Sequence, residues 1–209
     1  MVLETRRLQL REMEANDFAS LCGILQDPEV MYAYEHAFGD EEVRQWLERQ
    51  RKRYRKDGFG LWAVVERSTG ELVGQCGLTM QQWGERMVPE IGYLLRKDRW
   101  HMGYATEAAL ACRDFGFSSL GLPALYSIIR ENNLPSQAVA RRCGMSLVGR
   151  QMKHYYQMDM PHLVFCVENP EKPEETGGQT LWALGSRTPC GRGYKGLKER
   201  KTILGGQGG

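Results

Sequence analysis

A short segment in the middle of the chain has the residue types that a phosphate-binding loop requires. RWHMGYATEA, residues 99–108, lies where an apolar run ends and a helical pattern begins. The first backbone N–H groups of a helix have no partner within it and carry partial positive charge, so they suit an anion. Gly103 has no Cβ and Ala105 only a methyl group, so a pyrophosphate can reach these N–H groups, and Thr106 adds a hydroxyl donor. The segment therefore predicts an anion-binding site, although a plain tight turn into a helix would use similar residues.

Two nucleotide-binding motifs are alternatives to this interpretation. A P-loop needs Gly-Lys followed by Ser or Thr, which this segment lacks. GYATEA resembles a degenerate dinucleotide fingerprint, but that motif opens a βαβ unit and has an acidic residue about 20 positions later. Here predicted antiparallel strands precede the segment, and the acidic Glu131 lies too far along the chain. The sequence therefore favours neither nucleotide hydrolysis nor dinucleotide binding.

The composition argues against several classes of protein. The 209 residues include 28 Lys and Arg against 26 Asp and Glu, so no overall charge attracts DNA or a membrane. No apolar run approaches the ~20 residues of a membrane-spanning helix, and the charged N-terminus is not a secretory signal. The six cysteines and four histidines form no metal-binding pattern. We therefore expect a cytoplasmic protein with reduced cysteines, no metal, and no membrane or nucleic-acid partner.

The elements that must position the loop follow from the spacing of apolar residues. Helical periodicity, cap residues and glycine stops predict four helices, over 16–25, 40–57, 103–118 and 136–143. Alternating or short apolar runs predict one strand before the first two helices, three strands after them, one between the last two helices and two at the end. Adjacent antiparallel strands followed by a single β-α-β crossover predict a mixed α/β fold with a mostly antiparallel sheet.

The end of the chain has a different composition. ENPEKPEETGGQ, which begins at Glu168, is rich in Pro, Glu and Gly, and glycines recur to the C-terminus. Such a segment has few apolar residues with which to build a core. We therefore predict a single domain over 1–168 and a disordered tail over 169–209.

Taken with the element order, five motifs resemble a known family. WHMGYATEA is similar to the phosphate loop of the GNAT acyl-CoA-dependent N-acetyltransferases, especially the RimJ/RimL-like branch that acetylates ribosomal-protein N-termini. Four more stretches resemble motifs of that branch: ETRRLQLRE (4–12), GELVGQCGL (70–78), PEIGYLLR (89–96) and ENNLPSQAVARRCGM (131–145). The resemblance covers about 3–166. It implies the GNAT fold, a mostly antiparallel sheet whose central strands splay apart.

The resemblance also implies where acetyl-CoA binds as the co-substrate. Its pantetheine arm would pair with the strand edge at Leu94, Leu95 and Arg96, as an added strand does. Asn133 and Ser136 would hold the far side of the arm. The pyrophosphate would lie on the backbone of seven residues: Trp100, His101, Met102, Gly103, Tyr104, Ala105 and Thr106.

A carboxylate on the predicted strand beside the thioester is the candidate general base. An alkylamine (pKa about 10.4, or about 8 for an α-amine) must lose a proton before it attacks a thioester. Glu90 lies five residues before Leu95 and could accept this proton directly or through water. A surface or ion-paired strand carboxylate with no catalytic role is an equally good interpretation of Glu90.

The candidate general acid is less clear. Many members of the family place a Tyr in the second cofactor motif, where this chain has Ala140. Ser136, one helical turn earlier, is the nearest hydroxyl. Because thiols have a pKa near ~8.5, a thiolate leaves readily, and a weak acid or a water is sufficient.

We therefore predict an N-acetyltransferase that moves an acetyl group from acetyl-CoA to a primary amine. The acceptor would be a small-molecule amine or a protein N-terminus, and family likeness suggests a homodimer. A non-catalytic acyl-CoA-binding module is the alternative. The basic stretch RQRKRYRK, 49–56, is interpreted either as a solvated helix end or as a surface that attracts an acidic partner.

Overall fold

The structure is a computed structural model that describes residues 2–34, 36–155 and 158–171. Its core is an eight-stranded sheet, in the spatial order β1-β2-β3-β4-β5-β6-β8-β7. The strands are β1 (Leu3–Glu4), β2 (Leu8–Arg11), β3 (Leu61–Glu66), β4 (Leu72–Trp83), β5 (Arg86–Leu95), β6 (Ala124–Arg130), β7 (Ser146–Tyr155) and β8 (Met158–Glu168). The helices are α1 (Phe18–Leu25), α2 (Asp40–Asp57), α3 (Tyr104–Ser118) and α4 (Leu134–Arg142).

The predicted mixed α/β fold is confirmed, and the four helices and the strands β2 to β8 follow in the predicted order. Strands β1 to β5 pair antiparallel in sequence order, and β5 and β6 form the one parallel pair of the described residues, connected through α3. The antiparallel pairs β6–β8 and β7–β8 complete the sheet. Strand β1 was not predicted; it has only two residues and pairs through Leu3–Leu10 and Glu4–Gln9.

Two neighbouring residues of β4 show that helices cover both faces of the sheet. Successive strand residues point to opposite faces. On one face, Gln75 Oε1 accepts a hydrogen bond from Trp46 Nε1 of α2 at 2.9 Å. On the other, the Cys76 sulfur lies 3.6 Å from the Cys112 sulfur of α3. Buried Leu, Val and Ile side chains fill both layers.

Local sequence signals explain most of the helix limits. Helix α2 has three acidic residues in its first turn and ends at Gly58, whose φ of 76° is the left-handed conformation that glycine favours. Helix α4 begins at Leu134 rather than at the predicted Ser136. Asn133 caps it by accepting a hydrogen bond from Ser136 N, and Pro135 fits its first turn, where no N–H partner is needed.

The described chain continues a few residues past the predicted domain boundary. Asn169 is buried; its main-chain N–H donates to Pro123 O at 2.9 Å and its side chain donates to Leu122 O at 3.2 Å. The predicted tail beyond Glu171, residues 172–209, lies outside the described residues. Within the described residues, no helix is long and apolar enough to cross a membrane.

Candidate active site

The predicted phosphate loop leads directly into α3. Gly103 precedes the helix with a φ of 79°, and His101 has a φ of 62°, an uncommon conformation for a residue with a Cβ. The positive φ angles of these two residues turn the chain so that the start of the helix is exposed. In the part of the chain that the structure describes, no group accepts a hydrogen bond from the backbone N–H groups of residues 103–106. The loop therefore presents a cluster of unpaired donors with the helix N-terminus behind them.

The side chains of the loop mostly point away from these donors or serve the fold. Trp100 Nε1 donates to Leu95 O at 3.0 Å and ties the loop to the end of β5. Tyr104 is buried, and its hydroxyl donates to the Glu66 carboxylate. His101, Met102 and Gly103 are exposed, whereas Ala105 and Thr106 are half-buried. Tyr104 can therefore contribute its backbone to an anion site but not its hydroxyl.

Residues near the N-terminus hold the loop in place. Thr5 Oγ1 and Arg7 Nε donate to the two oxygens of Glu107, in the first turn of α3, both at 2.7 Å. Arg7 Nη1 also donates to Met102 O at 2.9 Å, and its guanidinium stacks 4.5 Å from the Tyr104 ring centre. We call Thr5, Arg7 and Glu107 the loop clamp. Thr5 and Arg7 lie in the motif ETRRLQLRE, whose strand pattern does not predict their contacts with Glu107.

The loop clamp keeps a carboxylate ionised close to the anion site. Burial alone would raise the pKa of Glu107, but hydrogen bonds from Thr5 and from the backbone and side chain of Arg7 lower it overall. The Arg7 guanidinium, 2.7 Å from the Glu107 carboxylate, offsets its negative charge. The helix N-terminus can therefore attract an anion despite the acidic residue in its first turn.

Beside this loop the central strands of the sheet separate. The parallel strands β5 and β6 share a single register pair, Glu90 with Tyr126. Directly after this pair, hydrogen bonds that involve side chains take the place of backbone–backbone hydrogen bonds between the two strands. Ser127 Oγ donates to Ile91 O at 3.0 Å, and Ile128 N donates to Glu90 Oε1 at 2.9 Å. Beyond this point the C-terminal half of β5 has no strand partner on the β6 side. The predicted splayed pair of central strands is therefore present, and Glu90 lies at its vertex.

The backbone of β5 presents its polar groups alternately to β4 and to this open edge. Arg96 N donates to Val73 O at 2.8 Å, next to the register pair Gly74–Leu95. Opposed residues of an antiparallel pair alternate between hydrogen-bonded and non-hydrogen-bonded. The main chains of Leu94 and Arg96 therefore face β4. Of the three residues predicted to pair with the arm, only Leu95 directs its main-chain groups toward the open edge; their role in binding the arm stays a prediction.

Tyr93 is the residue that takes their place along the open edge. It lies two positions before Leu95, so its main chain points the same way. Its hydroxyl donates to Ser136 O at 3.0 Å and connects β5 to the start of α4. Burial raises the pKa of Tyr93, so the hydroxyl stays protonated. The strand pattern of PEIGYLLR does not predict this contact, because it joins residues that are 43 positions apart in the chain.

The environment of Glu90 suits a general base. Its side chain is half-buried, and burial raises the pKa of the carboxyl above its usual value, although Lys153, the Ile128 N–H and Arg53 act in the opposite direction. A base whose pKa lies closer to neutrality accepts a proton more effectively. Among the described residues Glu90 forms no ion pair, and its Oε2 accepts no hydrogen bond. The described contacts of Glu90 thus include no ion pair, and its role as a general base stays a prediction.

The remaining predicted residues meet at the start of α4. Asn133 Oδ1 caps the helix by accepting a hydrogen bond from Ser136 N at 3.1 Å, which leaves the Asn133 amide NH₂ and one oxygen lone pair for a ligand. Ser136 is half-buried, and its carbonyl accepts from Tyr93. Ala140, where the family often has Tyr, is 2% exposed and packs in the core. The structure thus brings Ser136 next to β5, across the splayed strands.

Comparison with known proteins identifies the class to which this fold and site belong. The protein is an acetyltransferase, since a family model described as an acetyltransferase (GNAT) domain matches residues 7–146. The chain belongs to the GNAT family. This confirms the family that the sequence motifs indicated.

Individual relatives are consistent with this family. The chain is 38% identical over 144 residues to the uncharacterized protein YkkB of Bacillus subtilis (strain 168), covering 68% of this chain and 84% of that protein. A GNAT-family acetyltransferase from Bacillus anthracis superposes with a TM-score of 0.71 at 24% identity, over 82% of this chain and all of that chain (100%). RimL, described as a ribosomal L7/L12 alpha-N-protein acetyltransferase in complex with coenzyme A, superposes with a TM-score of 0.66 at 16% identity, over 80% of this chain and 97% of that chain. At these identities the two solved structures support the fold.

Proposed function

We propose that the protein is a cytoplasmic, RimJ/RimL-like N-acetyltransferase that moves an acetyl group from acetyl-CoA to a primary amine by direct attack on the thioester. The observation that carries this proposal is the combination of two features in one place. Among the described residues, a strand edge with unpaired main-chain groups, the N–H and C=O of Tyr93 and the N–H of Leu95, ends beside a helix N-terminus with unpaired N–H groups. A pantetheine arm offers amide groups to the first feature, and a pyrophosphate offers anionic oxygens to the second.

The residues of this site have distinct roles in the proposed reaction. Acetyl-CoA supplies an acetyl group activated as a thioester. The N–H groups of residues 103–106 hold the pyrophosphate, and the loop clamp fixes their orientation. Glu90 takes the proton that the amine must lose, directly or through water. The backbone N–H of Leu95 is the candidate donor to the oxyanion that develops on the thioester carbonyl.

Departure of the thiolate places little demand on the protein. A thiol has a pKa near ~8.5, so the thiolate is a tolerable leaving group at neutral pH. The Ser136 hydroxyl, at the start of α4, or a water supplies the proton. Tyr93 positions this turn of α4 relative to β5 through its hydrogen bond to Ser136 O. The RimJ/RimL-like motifs favour a polypeptide N-terminus as the acceptor amine.

Release of free CoA thiol tests the proposal. Purified protein with acetyl-CoA and a panel of peptides, polyamines and small amines should release thiol with at least one acceptor. Glu90→Gln should lower kcat by roughly 10²-fold or more, the usual contribution of a general base. It should leave the Kd for acetyl-CoA unchanged, because glutamine keeps the carbonyl oxygen that accepts from Ile128 N. Saturable binding of acetyl-CoA without thiol release on any amine would contradict the proposal and indicate a binding module.

A further inference from the structure

A groove rich in basic residues lies between the C-terminal half of α2 and the β4–β5 hairpin. It is open to solvent and has a volume of about 800 Å³. Its lining includes two methionines, Met80 and Met87, and a single acidic residue, Asp57. The other lining residues are all cations, and we call the set the basic groove: Arg49, Lys52, Arg53, Arg55 and Lys56.

The cations of the basic groove are mostly without counter-ions. Arg55 pairs with Glu48 at 3.4 Å. Within the described residues, the other four form no ion pair; Arg53 donates only to the neutral Gln50 Oε1, at 3.2 Å. Arg53 is half-buried, and burial together with the nearby Arg49 lowers its pKa. Asp57 and Glu90 act on this pKa in the opposite direction without forming an ion pair with Arg53. The five cations of the groove therefore exceed the negative charge around them, and the groove attracts an anion.

The basic groove adjoins the proposed general base. Met80 pairs with Pro89 in the β4–β5 register, and the neighbouring Thr79 pairs with Glu90. The positive charge of Arg53 acts on Glu90 as well. The residues that follow an amine bound at Glu90 would therefore lie near the positive charge of the groove.

We propose that the basic groove binds an acidic segment of the acceptor, so that the preferred acceptor is a polypeptide N-terminus followed closely by Asp or Glu residues. This inference rests on the proposed function and narrows its acceptor class. The stretch of α2 from Arg49 to Lys56 is about 10 Å long, at 1.5 Å per residue. An extended peptide covers that length with about three residues, so the acidic residues belong within the first few positions after the amine.

The chemistry of the basic groove favours a polypeptide over a nucleic acid. Single-stranded nucleic acids bind through basic grooves that also carry aromatic side chains on which the bases stack. Among the described residues no aromatic side chain lines this groove, and its apolar surface comes from Met80 and Met87, the latter 56% exposed. Flexible thioether side chains adapt to varied peptide side chains. The five cations of the groove all belong to the basic stretch RQRKRYRK, 49–56. The proposed acidic segment is therefore the acidic partner that this stretch would attract.

Two matched peptides test this inference. Both are ten residues long with the same free N-terminal residue; one has Asp and Glu at positions 2–5 and the other has Asn and Gln there. The acidic peptide should be acetylated with a kcat/KM at least about tenfold higher at low salt, and raising the salt should reduce the ratio because exposed charges are screened. Equal kcat/KM values for the two peptides would overturn the inference.

Substitutions in the basic groove locate the effect. The double variant Lys52→Gln/Lys56→Gln should lower kcat/KM for the acidic peptide about fivefold, since each exposed charge pair contributes a factor of a few, and leave the neutral peptide unaffected. Arg51→Gln is the matched control, because Arg51 lies on the same helix, does not line the groove and pairs with Glu48 at 3.5 Å. An equal loss for both peptides, or a raised KM for acetyl-CoA, would assign the groove to the fold or the cofactor and overturn the inference.

Inhibition by competing polyanions distinguishes a peptide-binding groove from one that binds nucleic acid. Poly-glutamate should inhibit acetylation of the acidic peptide, whereas inhibition by single-stranded RNA alone would assign the groove to nucleic acid and overturn the inference. If some amine releases thiol but peptide charge has no effect, only this inference fails. If no peptide or amine releases thiol, the proposed function fails, and this inference fails with it.

Discussion

At the scale of single residues, Glu90 has its properties because of where two strands part. A carboxylate within a continuous sheet would have no backbone donor available, but the divergence of β5 from β6 leaves Ile128 N to bind one of its oxygens. The other oxygen accepts no hydrogen bond from the described residues. Burial at the vertex raises the pKa of the carboxyl. One position therefore combines an available oxygen, increased basicity and proximity to the proposed arm.

The pH dependence of the reaction should report this raised pKa. A base works only when ionised, so kcat/KM should fall as the pH is lowered through the pKa of Glu90, which lies above the ordinary value of 4.5. The measurement is a pH–rate profile from about pH 5 to 9; the limb above neutrality reflects the amine, whose own pKa is about 8 or higher. In the Glu90→Gln variant, kcat/KM should no longer decrease as the pH is lowered through this range. The same acidic limb in the variant would show that another group titrates.

At the scale of elements, the loop clamp joins parts of the chain that are far apart in sequence. Residues 5 and 7 lie between β1 and β2, and Glu107 is in the first turn of α3. Their hydrogen bonds, together with the one from Arg7 to Met102 O, set the direction of the N–H groups at the start of the helix. The clamp therefore acts on the cofactor site through the backbone conformation.

Removal of the Arg7 guanidinium should weaken cofactor binding more than it slows turnover. Arg7→Gln loses the charged hydrogen bonds to Glu107 and Met102, each of a kind that contributes about 1.5–3 kcal/mol. We expect KM for acetyl-CoA to rise about tenfold with little change in kcat. Arg6→Gln is the matched control, since Arg6 is exposed and its side chain makes no contact in the clamp. An unchanged KM in Arg7→Gln, or the same rise in both variants, would show that the clamp does not shape the site.

At the scale of the whole molecule, the sequence predicted what depends on local patterns. Apolar periodicity and cap residues gave the element order, and the motifs around Gly103 and Glu90 indicated the family and the site. The loop clamp was missed because residues 5 and 107 meet only in the folded chain. The direction of the Leu94 and Arg96 main chains was missed because it depends on the register between β4 and β5, which the strand pattern of β5 does not specify.

The outer edge of the sheet bears on the predicted homodimer. Strand β7 is the last strand on its side of the sheet, and three large apolar side chains on the β7–β8 hairpin are more than half exposed: Leu147, Met152 and Met158. A long edge strand with exposed apolar residues is a surface that pairs readily with another chain. Dimerisation through this hairpin stays a prediction.

The central claim is that the main chain at the start of α3 holds the pyrophosphate of acetyl-CoA. Calorimetric titration of Gly103→Val with coenzyme A tests it, because valine disfavours the φ of 79° that directs the N–H groups outward. Gly121→Val is the control: it has a similar φ of 61° at the end of α3 remote from the loop, so it carries a similar strain of about 1–2 kcal/mol. The account predicts a Kd raised at least about tenfold in Gly103→Val and unchanged in Gly121→Val. Normal affinity of a folded Gly103→Val protein would contradict it.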